Sequence, residues 1–129
     1  MAEGIFKKII GKRIFVQSAG IFDTLEIDGF TVKVCDEINV KLSKHRVRSL
    51  KEMEKRGGFI GSFDLIIPLT KECSKEVYKY SSYSSVIIEN WQVDEPLKDE
   101  NDINMTLCSY RKIRDIIFEK IKDRFQGYY

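Results

Sequence analysis

The sequence is poor in the residues that build metal centres and disulfide frameworks. Its 129 residues include a single histidine and three cysteines, which are widely spaced and form no Cys-x-x-Cys pair. A zinc site needs several such ligands close together, and a disulfide framework needs cysteines in even numbers. We therefore expect no metal, no cofactor and no disulfide bonds, and a reducing, cytoplasmic location.

A strong excess of one charge and long apolar runs are also missing. Lysine and arginine number 22 against 20 acidic residues, a net charge of +2, which gives no basic surface for nucleic acid. No apolar run is long enough to cross a bilayer, and lysines interrupt the N-terminal apolar residues where a signal peptide needs a continuous stretch. We expect one soluble domain over residues 1–129, with neither nucleic acid nor a membrane as partner.

The apolar residues alternate between helical and strand periodicity along the chain. Helices are predicted over residues 2–10, 28–38, 49–55, 71–79 and 102–125, the last capped by Asn101 or Asp102, and strands over 13–17, 64–69 and 85–89. This alternation predicts an α/β fold, with a parallel sheet and flanking helices. Because such folds usually open on a strand and this chain opens on a helix, the pattern indicates that a first strand is missing.

Five short segments, in order along the chain, resemble the low-molecular-weight protein-tyrosine phosphatases, particularly their bacterial branch. They are Met1-Ala2-Glu3, Ser18-Ala19-Gly20, the Ser-x-His-x-x-Arg segment from Ser43 to Arg48, Phe63-Asp64-Leu65-Ile66 and Asp94-Glu95-Pro96. The resemblance implies a three-layer, flavodoxin-like fold whose first central strand is absent here. It also implies a hydrolase that cleaves phosphotyrosine or aryl phosphate monoesters through a phosphocysteine.

The sequence departs from the family pattern in two places. The strand and Cys-x5-Arg-Ser-Pro loop of the family would lie immediately before Met1, so we expect an N-terminally truncated domain that is inactive as given. The family places Asp directly before Pro, whereas here Glu95 precedes Pro96 and Asp94 lies one position earlier. Both carboxylates are candidates for the general acid.

Ser18 and His45 are the other candidate site residues. The resemblance implies that both hydrogen-bond the phosphate loop and hold it open. As a lone histidine, His45 can also be a partly buried polar residue without a role in chemistry or, less favoured, a general base, and the three readings stay open. Cys108 and Arg114 reproduce the Cys-x5-Arg spacing, but they lie in a strong helical pattern without glycine. Their backbone amides would be engaged in helix bonds, whereas a phosphate cradle needs them free.

Three hypotheses follow for function. The first is a tyrosine phosphatase whose missing segment is supplied in the natural protein, acting on a phosphotyrosine protein or a small aryl phosphate. The second is a non-catalytic remnant or binding domain of the same fold, and the third, less favoured, is an arsenate reductase. Loss of a central strand also predicts that the strands at Ile14–Val16 and Leu65–Leu69 close on each other or pair with a partner chain, which allows a homodimer through exposed strand edges.

Overall fold

The computed structural model describes residues 1–21, 26–55, 60–81 and 85–129. Its elements are α1 (Ala2–Ile10), α2 (Gly29–Asp36), α3 (Leu50–Lys55), a 3₁₀ turn (Ile60–Ser62), β1 (Leu65–Ile66), α4 (Lys71–Ser81), β2 (Ile87–Ile88) and α5 (Ile103–Arg124). Helices combine with a parallel sheet, so the α/β class predicted from the pattern is confirmed. Among the described residues, no helix has both the length and the apolar character that crossing a bilayer requires.

The chain divides into two compact units. The first comprises Met1–Ser18, Glu26–Arg46 and Glu95–Tyr129, and the second comprises Val47–Asp94 with the segment that begins at Ala19. The first unit contains α1, α2 and α5, and the second contains α3, α4 and the sheet.

Helix α1 forms because its apolar residues recur at helical spacing and face the core of the first unit. Ile5, Phe6 and Ile10 are almost fully buried. The helix ends at Gly11, which has a φ of 71° and donates its N–H to the carbonyl of Lys7 at 2.9 Å. A glycine suits this position because other residues rarely adopt such a φ.

The segment after α2 packs very closely on α1 at Gly4. A β-carbon added to Gly4 would lie 2.6 Å from Cδ2 of Leu42 and 2.8 Å from Cγ1 of Val40. Both of these side chains are buried. The absence of a side chain at Gly4 is therefore what allows this approach.

Helix α5 has the most buried residues of the three helices in the first unit, and α1 and α2 both pack against it. Asp102 caps its start by accepting the N–H of Met105 at 2.9 Å, which selects one of the two predicted caps. Near its end, the rings of Phe6 and Phe125 meet edge to face with centroids 5.0 Å apart. Buried apolar side chains recur along it at spacings of three and four, at Leu107, Tyr110, Ile113, Ile117 and Ile121.

Asp28 joins the start of α2 to α5. Its side chain accepts the N–H of Phe30 at 3.0 Å, which caps α2, and it also accepts a hydrogen bond from the Tyr110 hydroxyl. Tyr110 is 1% exposed and packs with Val34 and Leu107. The aspartate thus satisfies both a helix end and a buried hydroxyl, which would otherwise cost stability.

The sheet of the second unit is short, but its pairing continues beyond the two strands. Leu65 pairs with Ile87 and Ile66 with Ile88, in parallel. Further along, Trp91 donates its N–H to the carbonyl of Pro68 and Val93 to that of Leu69, both at 3.0 Å. The predicted strands 64–69 and 85–89 are therefore present in shorter form, and the second pairs from residue 87 to residue 93.

The predicted strand at Arg13–Gln17 is wrong, because these residues carry no regular secondary structure. A strand persists only where a neighbour satisfies its backbone groups. Parallel pairing is present further along at Gly20, which donates to the carbonyl of Arg48 and accepts from the N–H of Leu50, both at 2.9 Å.

Candidate active site

A buried carboxylate lies in the first turn of α1. Glu3 is 5% exposed, because the helix places it on the same face as Phe6 and Ile10. Its Oε1 accepts two hydrogen bonds from Ser18, from the backbone N–H at 2.7 Å and from the hydroxyl at 3.0 Å. Two donors from one residue on one oxygen fix both the backbone and the side chain of Ser18.

The other oxygen of Glu3 faces two basic side chains. Lys7 donates from Nζ to Oε2 at 3.0 Å, and Nδ1 of His45 lies 3.3 Å from the same oxygen. His45 is 13% exposed, whereas Lys7 is 57% exposed. A buried carboxylate is stable only when it is paired and hydrogen-bonded in this way.

The environment of Glu3 favours its charged form. Burial raises the pKa of Glu3, but the hydrogen bonds from Lys7 and Ser18 and the nearby charges of His45 and Lys7 outweigh it and hold the pKa below its ordinary value. Glu3 is therefore an anion at neutral pH. It anchors its neighbours and is not suited to deliver a proton.

The structure brings together two of the four predicted site residues. Ser18 and His45, which are 27 positions apart in the sequence, both contact the carboxylate of Glu3. Their predicted hydrogen bonds to a phosphate loop remain a prediction. Glu3 itself was not singled out from the sequence, although a signal exists, because a glutamate spaced three and seven residues before buried apolar positions occupies the core face of a helix.

Asp94 and Glu95 lie in a different environment. Both are exposed, and they follow the extended pairing of β2. In parallel α/β sheets the carboxyl ends of the strands are where ligands bind. Asp94 belongs to the second compact unit and Glu95 to the first, and their part in an acid role remains a prediction.

Cys35 and Cys108 do not form a phosphate-binding loop. Cys35 is fully buried, and burial raises its pKa, which makes its thiol a poor nucleophile. Cys108 is exposed on α5, and six residues of α-helix turn Arg114 about 120° away from it. Arg114 is instead engaged with the carbonyl of Val34 and the carboxylate of Glu37, both at 2.9 Å. Among the described residues no group of three His, Cys, Asp or Glu could hold a metal ion.

Over residues 1–126 the sequence matches the family described as low molecular weight phosphotyrosine protein phosphatase. Because the match covers almost the whole chain, the chain belongs to this family, and the predicted resemblance, fold class and hydrolase assignment are confirmed. A comparison with curated proteins finds no match.

Proposed function

We propose that residues 1–129 form one domain of a protein-tyrosine phosphatase, which hydrolyses phosphotyrosine or aryl phosphate monoesters when a Cys-x5-Arg loop is joined in front of α1. The observation that carries this proposal is the buried carboxylate of Glu3 in the first turn of α1. It is bonded by Ser18 and lies beside His45, the two residues that the resemblance assigns to support of the phosphate loop. Membership of the family supports the same reaction.

The reaction would proceed in two steps. The thiolate of the loop cysteine attacks phosphorus, and the bond from phosphorus to the phenolic oxygen breaks as Glu95 or Asp94 gives that oxygen a proton. Water then attacks the phosphocysteine, the same carboxylate takes the proton, and the thiolate and inorganic phosphate are released. The start of α1 supports both steps, because its free N–H groups and partial positive charge favour a phosphate dianion and lower the pKa of a nearby thiol.

The Glu3 cluster gives α1 a fixed starting point for this chemistry. Glu3 lies within the first turn, so its bonds to Ser18 tie that turn directly to the segment after the helix. A phosphate loop that enters α1 would then be joined to a helix start whose direction is already set. Such preorganisation contributes to catalysis because the loop amides need not reorient during the reaction.

The chain as given is proposed to be inactive. The one Cys-x5-Arg spacing in the sequence, Cys108 to Arg114, lies inside α5, where the backbone amides are engaged in helix bonds. The phosphocysteine route therefore has no nucleophile loop within these residues. A phosphotyrosine protein or a small aryl phosphate becomes the substrate only when the loop is supplied.

Hydrolysis of p-nitrophenyl phosphate tests the proposal. We expect no vanadate-sensitive turnover from the 129-residue chain. Turnover should appear when a strand and a Cys-x5-Arg-Ser-Pro segment are joined before Met1, and it should disappear when the new cysteine is replaced by serine. Turnover by the 129-residue chain that is lost in Cys108→Ser would contradict the proposal.

Two other outcomes would favour the remaining hypotheses. A folded but inactive extended chain that binds a phosphotyrosine peptide would favour a binding domain. Thiol-dependent conversion of arsenate to arsenite would favour an arsenate reductase.

A catalytic thiolate needs reducing conditions, which favours a cytoplasmic location. Sedimentation analysis of the 129-residue chain tests the proposed homodimer through strand edges, which a strictly monomeric chain would exclude.

A further inference from the structure

Two hydroxyl side chains of α5 hold the segment that follows the acidic pair. Ser109 accepts the N–H of Leu97 at 2.7 Å, and Thr106 accepts the N–H of Asp99 at 2.9 Å. Residues three apart on a helix lie on one face, so Ser109 and Thr106 present their oxygens side by side. Thr106 is 2% exposed, and its hydroxyl also lies 3.1 Å from the carbonyl oxygens of Asp99 and Asp102.

On the other side of the acidic pair, Val93 is held by a backbone hydrogen bond. Val93 donates its N–H to the carbonyl of Leu69 at 3.0 Å. Asp94, Glu95 and Pro96 therefore occupy the short stretch between two bonded amides, those of Val93 and Leu97. Proline restricts the stretch further because its φ is fixed near −65°.

We propose that Ser109 is a positioning residue for the general acid. Its hydroxyl holds the amide of Leu97 and thereby limits the orientations that Glu95 and Asp94 adopt towards a leaving group. This inference rests on the proposed function. Lys98, next to Leu97, forms an ion pair with Asp28 at 3.5 Å. Because Lys98 is 62% exposed, this pair is too solvated to hold the segment in the same way.

The expected effect follows from what a general acid contributes. Proton transfer by a positioned side chain accelerates such reactions by roughly 10²–10⁴-fold, and loss of positioning removes part of that factor. The loss should depend on the leaving group. A good leaving group such as p-nitrophenolate departs with little help, whereas phenolate needs the proton, so Ser109→Ala should slow phenyl phosphate hydrolysis far more.

The first experiment requires no activity. Amide hydrogen exchange and ¹⁵N relaxation are measured in the 129-residue chain for the original sequence, Ser109→Ala, Ser109→Thr and Cys108→Ala. Ser109→Ala should raise the exchange rate of the Leu97 amide by about tenfold or more and increase the mobility of Glu95. Ser109→Thr keeps a hydroxyl, and Cys108→Ala alters the exposed neighbour on the same helix, so both should leave these quantities unchanged. An unchanged Leu97 exchange rate in Ser109→Ala would overturn the inference.

The second experiment uses the chain extended with the Cys-x5-Arg-Ser-Pro segment. For Ser109→Ala, kcat/KM, which reports the step in which the leaving group departs, should fall by about tenfold or more on phenyl phosphate, while kcat/KM on p-nitrophenyl phosphate changes less than about twofold. Ser109→Thr should restore the rate. An equal loss on both esters would indicate a general structural effect and overturn the positioning role. If the extended chain is inactive on both esters, the proposed function fails, whereas the amide exchange still decides whether Ser109 holds the loop.

Discussion

Replacement of Glu3 by glutamine tests the central feature of the candidate site, because it keeps the shape of the side chain and removes its charge. In the folded protein, Oε1 receives both donors of Ser18, and Oε2 receives Lys7 and lies 3.3 Å from His45. A glutamine can still present its carbonyl oxygen to Ser18. Its amide group, however, would turn N–H donors towards the Lys7 ammonium, which is also a donor.

The loss of stability in Glu3→Gln comes from three hydrogen bonds. Hydrogen bonds to a charged acceptor contribute about 1.5–3 kcal/mol against about 1 kcal/mol for neutral pairs. Glu3→Gln weakens the two bonds from Ser18 and loses the one from Lys7, whose contribution is small because Lys7 is 57% exposed. We therefore expect a loss of about 2–3 kcal/mol in the free energy of unfolding. For a chain of this size that corresponds to a fall in Tm of roughly 10 °C.

Urea unfolding followed by circular dichroism measures this loss at pH 7 and pH 3, with Lys7→Met as the matched control. Lys7→Met should cost less than about 1 kcal/mol, because its ion pair is exposed. The folded pKa of Glu3 lies below its ordinary value of 4.5. Its stabilisation is therefore complete above that pH and is lost as the pH falls through the folded pKa. The difference between Glu3→Gln and the original chain should shrink at pH 3. A difference under about 0.5 kcal/mol at pH 7, or one that does not change with pH, would refute the argument.

Three further predictions test the surroundings of the site. Gly4→Ala should destabilise the fold by about 1–3 kcal/mol in thermal unfolding, because its new carbon would meet Leu42 at 2.6 Å; a stabilised variant would contradict the close approach. Tyr110→Phe should cost about 1–2 kcal/mol in urea unfolding by removing the hydroxyl that donates to Asp28; equal stability would contradict that bond. Hydrogen bonds from Arg111 lower the pKa of Glu37 to about 2. The stability that the Glu37 carboxylate gives the fold is therefore complete above pH 4.5 and is lost as the pH falls towards 2. Glu37→Gln should therefore flatten the acid limb of stability against pH, and an unchanged limb would exclude this contribution.

The helices could be predicted from the sequence because each carries its own evidence. The five predicted helices are present with ends shifted by at most two residues. In α5 the buried positions repeat at spacings of three and four over six turns, and Asp102 marks the start with a capping side chain. Such signals lie within the sequence of the helix itself, so they predict the helix without any knowledge of what packs on it.

The strand at residues 13–17 could not be predicted reliably, because a strand depends on a neighbour elsewhere in the chain. Ile14 to Val16 has the apolar character of a strand, yet this segment carries no regular secondary structure. The segments 64–69 and 87–93 each have the other as partner, and they pair. Periodicity reports which residues favour extended backbone, and it carries no information on whether a pairing partner is present.

One part of the candidate site could be predicted from neighbouring residues in the sequence, and the other part depends on residues that are far apart in it. Asp94 and Glu95 could be named as candidate acids from the short motif before Pro96, which needs no tertiary contact to be read, and their role remains a prediction. The environment of Glu3 was not recognisable, because its partners lie at Ser18 and His45, 15 and 42 positions further along the chain. Only the fold brings the three together.

The two kinds of carboxylate are also suited to opposite tasks. Glu3 is buried and receives donors on both oxygens, so its proton is lost and its position is fixed. Asp94 and Glu95 are exposed and lie between the bonded amides of Val93 and Leu97. A general acid must exchange protons with solvent and approach a leaving group, which an exposed side chain on a restrained backbone can do. In the proposed mechanism, the buried carboxylate therefore orders the helix that receives the phosphate, and the exposed pair supplies the proton.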